Sequence, residues 1–193
     1  MANRQAKVLS AAQIKAVLAR VATTRYPERD TVMLLLSCRA ALRAAEIAGV
    51  EWSMVLTSEG EVGDVLVVED RVAKRGGGGA LPLAADLRAA LVRLHALRQP
   101  EPGDHIVFSE RGTRMTAGGV VQWFRRLYHS LGFIGASSHS GRRTFITNAA
   151  RKISTVGGSI RDVQRLARHR SLSVTAGYIA VDADAQRRIV DLV

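Results

Sequence analysis

The stretch His139-Ser140-Gly141-Arg142-Arg143-Thr144-Phe145 places a histidine and an arginine three positions apart where a helix begins. That spacing puts both side chains on one face of the first turn. A helix N-terminus also offers unpaired N–H groups and a partial positive charge, so this turn suits an anion such as phosphate. Taken alone, His139 reads as a capping or surface histidine, the more common case for a lone one.

Further residues of matching chemistry lie on both sides. Arg43 and Glu46 sit in the apolar stretch from Ala40 to Val50, and Lys74 stands ahead of Arg75 and the glycines Gly76 to Gly79. His169 closes Leu166-Ala167-Arg168-His169, and Tyr178 lies in Ala176-Gly177-Tyr178-Ile179-Ala180. Singly, each has an ordinary reading: Arg43 pairs with Glu46 one turn on, Lys74 is a surface lysine, Tyr178 a core aromatic. Together, arginines, a lysine and histidines can hold a phosphate and move protons around it, while a tyrosine hydroxyl attacks it. Nucleases often use metal ions held by carboxylates, but here the acids are scattered, with Glu46 beside Arg43 and Asp162 among arginines. Paired arginines can replace metals as fixed positive donors. Neither metal nor cofactor is expected.

The motifs Ala41-Leu42-Arg43-Ala44-Ala45-Glu46-Ile47, His139 to Phe145, and Leu166 to His169 followed by Tyr178 resemble, in that order, the tyrosine recombinase (phage integrase) family. The resemblance covers about residues 10 to 180. It implies a catalytic set of Arg43, Lys74, His139, Arg142, His169 and the nucleophile Tyr178, with Glu46 orienting the site without reacting. Lys74 would protonate the leaving 5′ oxygen, and His169 would bond the phosphate from below. The chain departs from the family at Arg143, where histidine is frequent; that position is not counted as catalytic. The implied activity is site-specific DNA cutting and rejoining through a 3′-phosphotyrosyl link. The implied partners are double-stranded DNA, three further protomers in a tetramer on DNA, and an accessory DNA-bending protein.

The resemblance is to short members such as the fimbrial phase-switch invertases. It implies a single catalytic domain over 1–193, with a core over about 10–180, a tail helix over 182–193 and no N-terminal core-binding domain. That tail either docks into a neighbouring protomer or folds back on its own domain. Two other readings stay open: a type IB topoisomerase-like nicking and rejoining enzyme, and a non-catalytic DNA-binding regulator.

Composition agrees with a polyanionic partner. The formal net charge is +11 and the pI about 11.1, and neutralising phosphates releases counterions. A merely basic or ribosomal protein would show the same excess. Among 28 basic residues the lysines are Lys7, Lys15, Lys74 and Lys152, so a proton-donating lysine at a glycine loop stands out from the permanently charged arginines. Cys38 is the only cysteine, which excludes a disulfide framework. The N-terminal residues carry spaced charges unlike a signal peptide, and Val32 to Cys38 is too short to span a bilayer. A cytoplasmic location without membrane contact is expected.

Periodicity predicts a mainly helical α+β domain. Ser10 and Gln13 form a capping box ahead of a stripe of Ile14, Val17, Leu18 and Val21. Helices are expected over Glu28 to Cys38, Arg43 to Ala48, Ala84 to Arg98, from Thr116 through Leu131, Gly141 to Lys152, Ile160 to Arg168 and Ser173 to about Ile179. Asp64 to Val68, Arg71 to Lys74 and Ala80 to Leu83 read as a small antiparallel three-stranded sheet. On the helix ending at His169, Arg161, Arg165 and Arg168 are expected on the opposite face. Tyr128 reads as structural, and Tyr26, before Pro27, as a loop residue.

Overall fold

The structure is a computed structural model that describes residues 5–73, 77–178 and 183–191. Its elements are α1 (Ala11–Val21), α2 (Pro27–Arg39), α3 (Ala44–Gly49), β1 (Val65–Val68), β2 (Gly79–Pro82), α4 (Ala85–Arg98), α5 (Ala117–Ser130), α6 (Ser140–Lys152), α7 (Ile160–Leu166), α8 (Leu172–Ala176) and α9 (Ala183–Val190).

Capping chemistry sets the helix starts. Ser10 Oγ accepts from Gln13 N at 3.2 Å while Gln13 Oε1 accepts from Ser10 N at 3.0 Å, which satisfies two otherwise orphaned donors of α1. Thr116 Oγ1 does the same for Gly119 N at 3.0 Å and opens α5. Pro27 occupies the first turn of α2, where its missing N–H costs nothing.

Helix α2 is the axis of the domain. Val32, Met33, Leu34, Leu35, Leu36 and Cys38 are all buried, the pattern of a helix apolar on every side. Helices α4 and α6 pack on it and α1 covers a third side, while α3 packs on α5. The closest approach is at Gly141 of α6. A Cβ there would stand 2.3 Å from Ser37 Oγ and 2.9 Å from Cys38 Sγ, so only glycine lets α6 lie this near to α2. Burial at this junction pushes the Cys38 thiol up to about 12.

The sheet has two described strands, not three. Val65 pairs with Pro82, Leu66 with Leu81, Val67 with Ala80 and Val68 with Gly79, antiparallel. Leu66, Val68 and Leu81 point into the core and Val65 and Val67 outward, as a period of two requires. The strand expected over Arg71 to Lys74 is instead a turn as far as Ala73, with Val72 N and Ala73 N both donating to Glu69 O. Arg71 is drawn sideways by Glu51 and Glu69 at 2.7 and 2.6 Å. Those backbone donors are spent locally, so β1 takes β2 as its partner directly. His105 to Phe108 contributes isolated bridges, Glu51 to His105 and Phe108 to Arg114.

A second, smaller core lies under α7 and α8. Ile146, Val163 and Ala167 are fully buried there, with Phe145, Ile153, Ile160 and Tyr178 packed around them. Helix α7 stops before Arg168, which takes the left-handed φ of 51°. Helix α8 is shorter than expected, and Tyr178 sits in the turn after it, its N–H donating to Thr175 O. Within the described part of the tail, α9 is helical and leaves Ile189 and Val190 exposed. No described helix is long and apolar enough to cross a membrane.

Candidate active site

The site is built around one buried carboxylate. Arg43 is the N-cap of α3 rather than its first helical residue, which leaves its N–H pointing at the side chain of Glu46. Glu46 Oε2 accepts from Arg43 N at 2.9 Å and Oε1 from Arg43 Nη1 at 2.8 Å. A second guanidinium arrives from the far end of the chain, with Arg168 Nη2 donating to Oε2 at 2.6 Å. The Glu46 side chain is 1% exposed, Arg168 3% and Arg43 26%. Of the two cations, Arg43 is the one at the opening.

Arg142 of α6 lies fully buried beside this pair. Its Nη1 donates to the carbonyl of Ala41 and its Nη2 to that of Ala167 at 2.6 Å. Each carbonyl belongs to a turn held in a left-handed conformation, Ala41 at φ 52° and Arg168 at 51°. Non-glycine residues pay about 1–2 kcal/mol for that region, so two strained turns converge on one guanidinium. Burial, with Arg43 adding, lowers the Arg142 pKa to about 10, still well above neutrality. Three guanidiniums therefore face one carboxylate, and the cluster keeps an excess of positive charge.

His169 and Tyr178 close the site from the α7–α8 side. His169 Nδ1 lies 2.9 Å from Thr175 Oγ1, while its Nε2 is buried with no partner among the described residues. Burial first, then Arg142, Arg43 and Arg168, holds the imidazole down at about 4, so it is neutral at pH 7. The Tyr178 ring is 5.2 Å from it, tilted by 31°, and Thr147 Oγ1 donates to the Tyr178 carbonyl at 2.9 Å. Tyr178 is half-buried and lines a cleft of about 400 Å³ with His139, Ser137, Arg143, Gln5 and Ala6.

The expected residues thus gather from four separate segments. Arg43, Glu46, Arg142, His169 and Tyr178 form one cluster, and His139 stands exposed on the wall of the tyrosine cleft. Lys74 lies outside the described residues. Two arginines play parts that sequence reasoning did not give them. Arg168 was expected on the outer face of its helix, yet its left-handed φ ends α7 and swings the side chain inward to Glu46. Its place beside His169 was the available signal, masked by the run of neighbouring arginines. Arg143 donates to the Ala6 carbonyl at 2.9 Å, pinning the N-terminal segment beside the cleft. The chain's other two tyrosines are held in packing: Tyr128 is buried, its hydroxyl pushed well up by burial, and Tyr26 packs edge-on against Phe108 at 5.7 Å. Among the described residues no three His, Cys, Asp or Glu side chains gather as metal ligands.

A mainly helical domain with a small antiparallel sheet, converging on an arginine cluster and a tyrosine, has the fold of tyrosine recombinase catalytic domains. Structures of that class superpose closely. The Tn1549 transposon integrase in complex with a circular intermediate DNA matches with a TM-score of 0.75 at 20% identity, over 98% of this chain and 66% of that one. The XerA recombinase matches at 0.72 and 21%, over 100% and 65%. A lambda integrase dimer bound to a core site gives 0.67 and 21%, over 89% and 47%. The chain belongs to the phage integrase family, whose sequence model matches residues 7–185. A curated relative, tyrosine recombinase XerC of Herpetosiphon aurantiacus, is 26% identical over 188 residues, which is 92% of this chain and 57% of that protein. The chain spans less than two thirds of the length of these relatives.

Proposed function

We propose that this chain is the catalytic unit of a site-specific DNA recombinase, of integrase or invertase type, that cuts and rejoins double-stranded DNA without metal. The observation that carries this reading is the Tyr178 ring 5.2 Å from His169, beside a cluster with surplus positive charge. The scissile phosphate sits over Arg43 and Arg142, which stabilise the charge that develops on its non-bridging oxygens. With Thr175 Oγ1 as donor across its 2.9 Å contact with His169 Nδ1, the neutral ring carries its proton on Nε2 and offers it to the phosphate. Tyr178 Oη attacks phosphorus, giving up its proton toward His139, and Lys74 protonates the departing 5′ oxygen. The product is a 3′-phosphotyrosyl link and a free 5′ hydroxyl. A 5′ hydroxyl from another strand reverses the step, so no nucleotide cofactor is consumed. Strand exchange takes four protomers on paired sites, with α9 docking on a neighbour through its exposed Ile189 and Val190, and an accessory DNA-bending protein assisting.

The test uses a nicked suicide substrate carrying the target site, in excess EDTA. The wild-type chain forms a covalent protein–DNA species, and Tyr178→Phe forms none while keeping its circular dichroism spectrum. Undiminished adduct in that variant would move the nucleophile elsewhere, and a magnesium requirement would point to a nuclease.

A further inference from the structure

We propose that Arg168 is a positioning residue for this cleavage: it carries the charge of buried Glu46, so that Arg43 is free to hold the scissile phosphate. The inference rests on the recombinase reading above.

The argument begins with what Glu46 requires. A carboxylate this deeply buried needs a cation beside it, because an uncompensated buried charge is strongly destabilising. Its two ion-paired neighbours differ in access: Arg168 is sealed at 3% exposure and Arg43 is open at 26%. If Arg43 were the sole partner, Glu46 would cancel the charge the phosphate needs. Turning Arg43 toward phosphate would then strand the carboxylate. With Arg168 Nη2 held at 2.6 Å, Glu46 stays paired whichever way Arg43 turns. Arg142 and His169 also face Glu46, the first through its charge and the second as a neutral ring.

Arg168 occupies this place at a cost that stability alone does not justify. It holds a left-handed φ of 51°, a region unfavourable for any side chain beyond glycine. Its Nε and Nη1 are buried with no partner among the described residues. Strain and unmet donors concentrated on one residue are a mark of function rather than of packing. The same turn presents the Ala167 carbonyl to Arg142 Nη2 at 2.6 Å, so one backbone kink sets two guanidiniums at once.

The experiment measures single-turnover adduct formation by the full chain on saturating nicked substrate, per folded molecule at 25 °C. Arg168→Gly accepts the left-handed backbone. It should slow adduct formation by about tenfold or more, with DNA affinity within about threefold of wild type because phosphate charges elsewhere dominate binding. Arg168→Lys should recover much of the rate, and adding Glu46→Gln to Arg168→Gly should raise it by removing the stranded carboxylate. A merely structural Arg168 would lower the thermal midpoint and leave the rate per folded molecule unchanged. Wild-type rate in Arg168→Gly, or losses that simply add in the double variant, would overturn the proposal. Should the glycine variant not fold, the neutral Arg168→Gln is read by the same criteria. Wild-type protein that forms no adduct defeats the recombinase reading and this inference with it; an adduct that ignores Arg168 defeats this inference alone.

Discussion

The arginine side of the site and the tyrosine side rest on foundations of different depth. Arg43, Glu46 and Arg142 grow from α3 and α6, which are bound into the main core through α5 and α2. His169 and Tyr178 follow α7 and α8, beneath which the fully buried apolar side chains among the described residues are Ile146, Val163 and Ala167. Tyr178 itself is tied by the Thr147 hydroxyl to its carbonyl and by the His169 ring. The difference matches the chemistry proposed for each side. Charge that stabilises a transition state is most effective when fixed beforehand, since nothing then reorganises during reaction. A nucleophile that becomes linked to DNA and then released must shift, and moving elements come from the less stable parts of a fold.

The comparison is broken most severely from the arginine side. Arg142→Ala and Arg43→Ala should each lower the cleavage rate by about 10² or more, while DNA binding falls far less because most of the +11 charge lies elsewhere. Single-turnover rates and equilibrium binding measured on one preparation check this, and near wild-type cleavage in either variant would remove the residue from the site. On the tyrosine side the expected effect is smaller and local. Val163→Ala removes two methyl groups from the small core, about 2 kcal/mol. Amides over 160–178 should then exchange faster while those of α2 keep their protection. Equal acceleration in α2 would mean that the two cores open as one.

The finest test uses pH. His169 is held at about 4 in the folded chain against an ordinary 6.5, so above 6.5 it adds no pH dependence. As pH falls from 6.5 toward 4, the unfolded chain takes up a proton that the folded chain refuses, and stability drops by at most about 1.4 kcal/mol per pH unit. Chemical denaturation of wild type and His169→Gln across that window should show the extra slope only in wild type. Matching slopes would place the ring in a solvated setting.

Much of this was legible in the sequence because it depends on local chemistry. The capping box at Ser10, the Thr116 cap and the first turn of α6 are fixed by residues within one turn of each other. Arg43, Arg142, His169 and Tyr178 were singled out through motifs that resemble the phage integrase family, and the fold brings them together. The third strand was misread because Arg71 and Val72 have strand-like character, whereas the hydrogen bonds to Glu69 that curl them are decided by tertiary placement of Glu51. Arg168 was missed for a related reason. Its direction is set by a left-handed φ and by a carboxylate 122 positions away, neither visible in a helical periodicity.

The seat of Cys38 has a practical consequence. The thiol lies where α2 meets Gly141, one residue from Arg142, and it is the chain's single sulfhydryl. The thiol is buried against Gly141, so a thiol-specific reagent reaches it when this contact opens, and lifting α6 from α2 draws Arg142 away from the Ala41 carbonyl. Labelling kinetics of the unaltered protein, with and without DNA, therefore time the opening of the arginine cluster with a reporter already built into the chain.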